Sequence, residues 1–165
     1  MAVPVPAMTR TLLSVGGLYE ATARVHRPRS LDELAAVFAD ARQKGKQLTL
    51  VGAGRSFGRQ FLPPEGVDAV DTTALPGQTT LNERTADGLW VRAPGGRTFE
   101  ELWRDVPNHL PRHAPTGDRI TIAGALAACS HNTRDFFTRD VRSFRVMTPD
   151  GAVVDCRPDA QGLGG

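Results

Sequence analysis

Gly52, Gly54 and Gly58, with Arg55 and Ser56 between them, directly follow the short run Leu48-Thr49-Leu50-Val51. Glycines let backbone N–H groups approach an anion closely, because no Cβ stands in the way. Arg55 adds a cation and Ser56 a hydroxyl donor, both suited to phosphate oxygens. The chemistry open to this pattern is the holding of a phosphate or pyrophosphate. It is neither of the two common phosphate loops. The dinucleotide fingerprint is G-x-G-x-x-G opening a helix. Here Gly54 and Gly58 stand one residue further apart, and Pro63-Pro64 prevents a long helix. The Gly-Lys-Ser/Thr of a P-loop is absent. A structural turn leading from a strand into a loop accounts for the glycines equally well.

A second segment, Pro115-Thr116-Gly117-Asp118-Arg119-Ile120-Thr121-Ile122-Ala123-Gly124-Ala125-Leu126-Ala127-Ala128, is rich in small side chains. Such a surface lets backbone lie against a flat ring or a diphosphate. Thr121 can cap a short helix and aim its N-terminus at an anion. Close helix–sheet packing is the commoner use of such a sequence. His109, His113 and His131 with Cys129 and Cys156 lack a recognised ligand spacing, and no metal is expected. His131 can serve as a base or in packing. Cys129 has no evident partner for nucleophilic chemistry and reads as a small buried residue. Arg134, Arg139, Arg142 and Arg145 alternate with Phe136, Phe137 and Phe144. This is a solvated face over buried aromatics rather than a nucleic-acid surface. Trp90 and Trp103 read as core.

The elements that must position these residues follow from periodicity and punctuation. Ser30-Leu31-Asp32-Glu33 has the form of a capping box, and Leu31, Leu34, Ala35, Phe38 and Ala41 follow at helical spacing. This predicts a helix over 31–44, ended at Gly45. Strands are expected at 47–51, 67–71 and 89–93. Thr98-Phe99-Glu100-Glu101 is a second capping box, opening a helix to about 106, where Pro107 stops it. Residues 107–119 read as a loop and 121–129 as a short helix. Strands at 143–147 and 153–156 flank Pro149-Asp150-Gly151, a turn that makes them a hairpin. Residues 1–23 carry little regular signal beyond an extended start at Pro4 and Pro6 and a turn at Gly16-Gly17. The order is mixed, α+β rather than a regular alternation of strand and helix.

Four stretches agree in order and spacing with one family. They are Pro28-Arg29-Ser30-Leu31-Asp32-Glu33-Leu34 with its helix; Val51-Gly52-Ala53-Gly54-Arg55-Ser56-Phe57-Gly58; Thr121-Ile122-Ala123-Gly124-Ala125-Leu126-Ala127-Ala128 with His131-Asn132; and Asp140-Val141-Arg142-Ser143 running to Asp150-Gly151. Over residues 24–157 the chain resembles the FAD-binding domain of the vanillyl-alcohol oxidase / p-cresol methylhydroxylase type. The Gly-Arg-Ser-Phe-Gly form is most similar to the branch of sugar-lactone oxidases and decaprenylphosphoryl-ribose oxidase.

The resemblance implies an α+β fold in two subdomains, a small parallel or mixed sheet with helices and a mostly antiparallel sheet. It implies an N-terminal extension at 1–23, the FAD domain at 24–157, and a tail or truncation point at 158–165. It implies FAD, with the pyrophosphate on Ala53, Gly54, Arg55, Ser56, Phe57 and Gly58. The flavin and ribityl region would fall near Thr116, Gly117, Thr121, Ile122, Gly124, Ala125, Ala128, Cys129, His131 and Asn132. Arg55 stands where many relatives carry a His linked covalently to the flavin, so the resemblance implies non-covalent FAD. Ala123 and Asn132 stand where the family often has Gly. In that family a separate substrate domain supplies the acid/base residues, and nothing in this chain supplies it.

The 165 residues carry a net charge of +2, with 40% hydrophobic and 23% charged residues. That is an ordinary globular composition, and the charge is too small to argue for nucleic acid or membrane. The two cysteines make no disulfide framework. Residues 1–8 lack the basic and apolar regions of a signal peptide, and no apolar run reaches the roughly 18 residues of a membrane span. A cytoplasmic protein is expected. Residues 157–165 have no periodicity and follow an apolar hairpin directly, which suggests part of a longer protein or one half of an assembly. The expected function is the flavin-binding part of an oxidoreductase that takes a hydride from a CH–OH carbon of a sugar-like or other small substrate. The alternative is a truncated, non-catalytic relative whose exposed sheet edge and apolar faces seek a partner.

Overall fold

A computed structural model describes residues 5–157; the expectations for Pro4 and for the tail at 158–165 lie outside them. Strands β1 (Ala7–Leu13) and β2 (Glu20–His26) form an antiparallel hairpin. Helix α1 (Leu31–Gln43) leads to β3 (Leu48–Val51), and β4 (Asp68–Asp71) follows. These strands make one mixed sheet in the order β1-β2-β4-β3, with β2, β4 and β3 mutually parallel. Strands β5 (Thr80–Thr85) and β6 (Gly88–Arg92) form a hairpin with a bulge between Leu81 and Glu83. Helices α2 (Phe99–Asp105) and α3 (Ile122–Ala127) precede the last hairpin, β7 (Phe144–Met147) and β8 (Val153–Cys156). The architecture is α+β, with the antiparallel part split into two separate hairpins.

The alternation of β4 divides the sheet into two faces. Ala69, fully buried, joins Val25 and Val51, with Leu12 and Phe61 packed over them. Val70, also fully buried, faces Leu34 and Val37 of α1. A third cluster gathers Phe99 and Leu102 of α2, Ala125 of α3, and Phe137. Phe99 meets Phe137 edge to face, with ring centroids 5.0 Å apart.

Three expectations change. Residues 7–13 and 20–26 are strands, so the boundary after residue 23 falls inside β2. Ala21, Ala23 and Val25 alternate with Glu20, Thr22 and Arg24 at a strand's period; their small size hid the signal. Strand β5 (TLNERT) lies almost wholly exposed, so no apolar face announced it. Ser30 caps α1 by accepting the Glu33 N–H at 3.0 Å, but Glu33 Oε2 accepts from Arg29 N rather than from the cap residue. Thr98 and Glu101 do form the reciprocal box.

Phe99 is wholly buried and shares its cluster with three elements. Phe99→Ala is expected to cost about 3–5 kcal/mol, read as a lowered midpoint of urea unfolding; a change under about 1 kcal/mol would contradict this placement of the core.

Candidate functional site

Strands β3 and β4 are parallel neighbours, so residues 52–67 must carry the chain from the end of one to the start of the other. Pro63 and Pro64 keep that crossover from being a long helix. Its first part therefore has no regular partner for its backbone. Among the described residues, no backbone N–H of residues 53–58 finds a protein acceptor. Gly54 sits at φ +65°, where a side chain is strained, and a Cβ there would lie 3.4 Å from the Phe61 ring. Arg55 and Phe57 are exposed; Ala53, Gly54, Ser56 and Gly58 are half-buried. Arg55 makes no ion pair among the described residues. A run of free N–H donors beside an unpaired guanidinium and a hydroxyl fits a diphosphate.

The structure brings this loop against the second segment at one point. A Cβ on Gly52 would stand 2.5 Å from Thr121 Oγ1, so the missing side chain is what admits Thr121. Thr121 is buried and caps α3, accepting the Gly124 N–H at 3.2 Å. The expected anion site at that helix end is not there. Ile122 N donates to Arg97 O and Ala123 N to Gly95 O, both at 2.8 Å, so the loop at 94–97 occupies the donors. Ala125 is fully buried in the cluster around Phe99 and supports the helix from inside. Ile122 packs on the same cluster.

The remaining predicted positions sit further along. Thr116 and Gly117 are exposed, with Gly117 against Ile120. Ala128 is the C-cap of α3 and exposed. Cys129 is exposed, not buried, at φ +47°. Its N–H bonds Leu126 O, and the next N–H, of Ser130, bonds Ala125 O; this paired closure of a helix end places its following residue in the left-handed region. Asn132 spends its amide on the loop, with Oδ1 accepting from Arg134 N and Asp135 N and Nδ2 donating to Arg112 O. His131 Nδ1 lies 3.0 Å from Asn132 O and its ring meets Phe136 edge-on. His113 pairs with Asp140 at 2.9 Å. Among the described residues no cluster of His, Cys, Asp or Glu could hold a metal, and no helix is long and apolar enough to cross a membrane.

Sequence reasoning missed the hairpin's part in the site. Val15 N donates to Ser56 O at 3.0 Å, and the Arg59 guanidinium lies 4.8 Å from the centre of the Tyr19 ring. Gly16-Gly17 between two weakly alternating runs was the available signal.

A mixed sheet with three parallel strands, a glycine loop of free N–H groups after one of them, and a small-residue segment against it define a nucleotide-cofactor domain. A family model described as an FAD binding domain matches residues 22–157. The chain belongs to that family, and its cofactor is FAD. It is 31% identical over 139 residues to L-gulono-1,4-lactone dehydrogenase of two Mycobacterium tuberculosis strains, CDC 1551 / Oshkosh and H37Rv. The match takes in 81% of this chain and 31% of those proteins, so the chain spans about a third of their length. Two cholesterol oxidase structures from Brevibacterium sterolicum share the fold at a TM-score of 0.64, with 16% and 15% identity, over 76% of this chain and 25% and 24% of theirs.

The loop at 94–97, which leads into α2 and holds the end of α3, is itself fixed by a charge cluster. Arg97 grips Asp105 through Nε and Nη2, at 2.9 and 2.7 Å, and Thr79 donates to the same carboxylate. The Thr79 hydroxyl first, and then Arg97, hold the Asp105 carboxyl below its ordinary value of 3.8. A carboxyl depressed on folding contributes stability above that ordinary value, and the contribution is lost as pH falls through the folded value. Asp105→Asn should therefore melt below the wild type at pH 7, with the gap closing below about pH 3.8. A gap that persists unchanged into acid would remove this role.

Proposed function

We propose that residues 53–58 hold the FAD pyrophosphate, and that this chain is the cofactor-holding part of an enzyme oxidising a CH–OH carbon of a sugar-like or other small substrate. The observation that carries the reading is the run of unpartnered N–H groups at 53–58, with Arg55 and Ser56 among them, in a chain of this family. The substrate class is suggested by the relatives named as lactone dehydrogenases. When bound, FAD supplies the hydride acceptor. The chain's residues bind and orient it. The loop N–H groups and Arg55 neutralise the diphosphate. Gly52 and Thr121 hold the two cofactor segments in register. The exposed residues Thr116, Gly117, Ala128, Cys129 and His131, with the half-buried Asn132, offer the surface toward the flavin end, with Thr121, Ile122, Gly124 and Ala125 as its support.

The acid and base for the substrate come from a further segment or a second chain. The exposed Phe144, Val146, Val153 and Val154 of the last hairpin offer an apolar face for such a piece. The domain takes in the first hairpin together with residues 24–157, because a boundary after residue 23 would cut β2. Arg55 cannot form the covalent flavin link that a His would, so the cofactor is non-covalent there.

The test is a visible absorption spectrum of the purified protein before and after acid precipitation. A flavin band released into the supernatant is expected. A band that stays with the pellet would overturn the non-covalent assignment. A colourless protein that also leaves added FAD unbound would overturn the cofactor role of this chain.

A further inference from the structure

The turn between β1 and β2 is tied to the glycine loop by contacts that no catalytic reading uses. Ser14 is buried, at 4% exposure, and closes the turn from both sides. Its N–H donates to Tyr19 O at 2.9 Å, and its Oγ accepts the Tyr19 N–H at 3.0 Å. Val15 N then donates to Ser56 O at 3.0 Å, and Leu13 O lies 4.0 Å from where a Cβ of Gly54 would be. Only Val25 and His26 of β2 pair with β4, so the rest of the hairpin is free to curl over the sheet face. Leu12 packs there on Val25, Val51 and Ala69, alongside Phe61. The Ser56 carbonyl is thus turned into the hairpin. Arg59 has no carboxylate partner among the described residues; Tyr19 holds its guanidinium on the hairpin side of the loop, 4.8 Å from the ring centre. Ser14, Val15 and Tyr19 all precede the matched residues 22–157.

We infer that the β1–β2 turn is the positioning element of the diphosphate loop, and that Tyr19 holds Arg59 as a second cation for the FAD diphosphate beside Arg55. The inference rests on the reading of residues 53–58 as the pyrophosphate site. A cation held against an aromatic face reaches the anion without first losing the freedom of a long side chain. Without the ring, Arg59 keeps its charge but not its place.

The experiment is a titration of the 165-residue chain with FAD, followed by flavin fluorescence over a range of salt concentrations, with thermal midpoints measured alongside. Tyr19→Leu should weaken binding about two- to fivefold, and Tyr19→Phe, which keeps the ring, should restore it. Arg59→Gln should weaken binding about tenfold or more and make the salt dependence shallower, because one cation fewer meets the diphosphate. The double variant should bind like Arg59→Gln alone, since the ring acts only through the cation. Variants that bind as tightly as the wild type, or losses that simply add, overturn this inference and leave the loop assignment standing. Wild-type protein that takes up no FAD at any salt concentration overturns the loop assignment and the inference together. If Tyr19→Leu lowers the thermal midpoint, Arg59→Gln at its exposed position decides alone: unchanged affinity and salt slope overturn the proposal.

Discussion

The placing of β4 between β2 and β3, parallel to both, is the constraint on which the rest depends. A parallel neighbour cannot be reached by a tight turn. The chain must leave Val51, travel outside the sheet and re-enter at Asp68. Prolines at 63 and 64 deny that path a long helix, so the backbone donors of its first part, residues 53–58, are not consumed internally. Buried backbone groups must be paired, and exposed ones are left for solvent or ligand. Binding capacity at residues 53–58 is in this sense a by-product of strand order. The protein's further contribution is to fix the shape of the free segment, with Gly52 admitting Thr121 on one side and the first hairpin gripping Ser56 on the other.

Helix α3 shows the complementary case. Its N-terminus has the sequence of an anion site, with a Thr cap and small residues after it. Yet the strands and turns before α2 bring the carbonyls of Gly95 and Arg97 to the same donors. Once Ile122 and Ala123 have those partners, the helix end serves to lock two segments together. Phe99, anchored beneath, receives Ala125 into the same cluster. The distinction between a binding loop and a packing helix is made by where the neighbouring carbonyls fall, which local sequence does not encode.

That point separates what could be read in the sequence from what could not. Helix α1, the box at Thr98 and Glu101, the strand before the glycines and the Pro149-Asp150-Gly151 hairpin all rest on local signals, and each formed near its expected bounds. The order of motifs was enough to identify the family. The first hairpin escaped because its inward residues are largely alanines, whose small area gives little periodic contrast. Strand β5 escaped because its side chains stand almost wholly in solvent. The exposed position of Cys129 follows from the closing geometry of α3, which demands a left-handed residue and tolerates a cysteine there. The bonds from Val15 to Ser56 and from Arg59 to Tyr19 join residues about forty apart, and nothing local announces them.

The last two hairpins carry a consequence for the protein's motions. Each is a lone pair of strands, and such pairs are marginal in water unless something covers a face. Arg142 bridges them, stacked 3.7 Å over Trp90 of β6 and paired with Glu83 of β5 at 2.5 Å. That bridge is half in solvent and so contributes modestly. The mixed sheet, by contrast, is clamped between Val70 under α1 and Ala69 under Leu12 and Phe61. Amide protons of β5–β6 and β7–β8 therefore exchange through small openings, while those of β3 and β4 wait for the whole domain to unfold. A chain built this way has a slow-exchanging end beside its cofactor loop and a fast-exchanging end, and a partner seated on the latter would even out the difference.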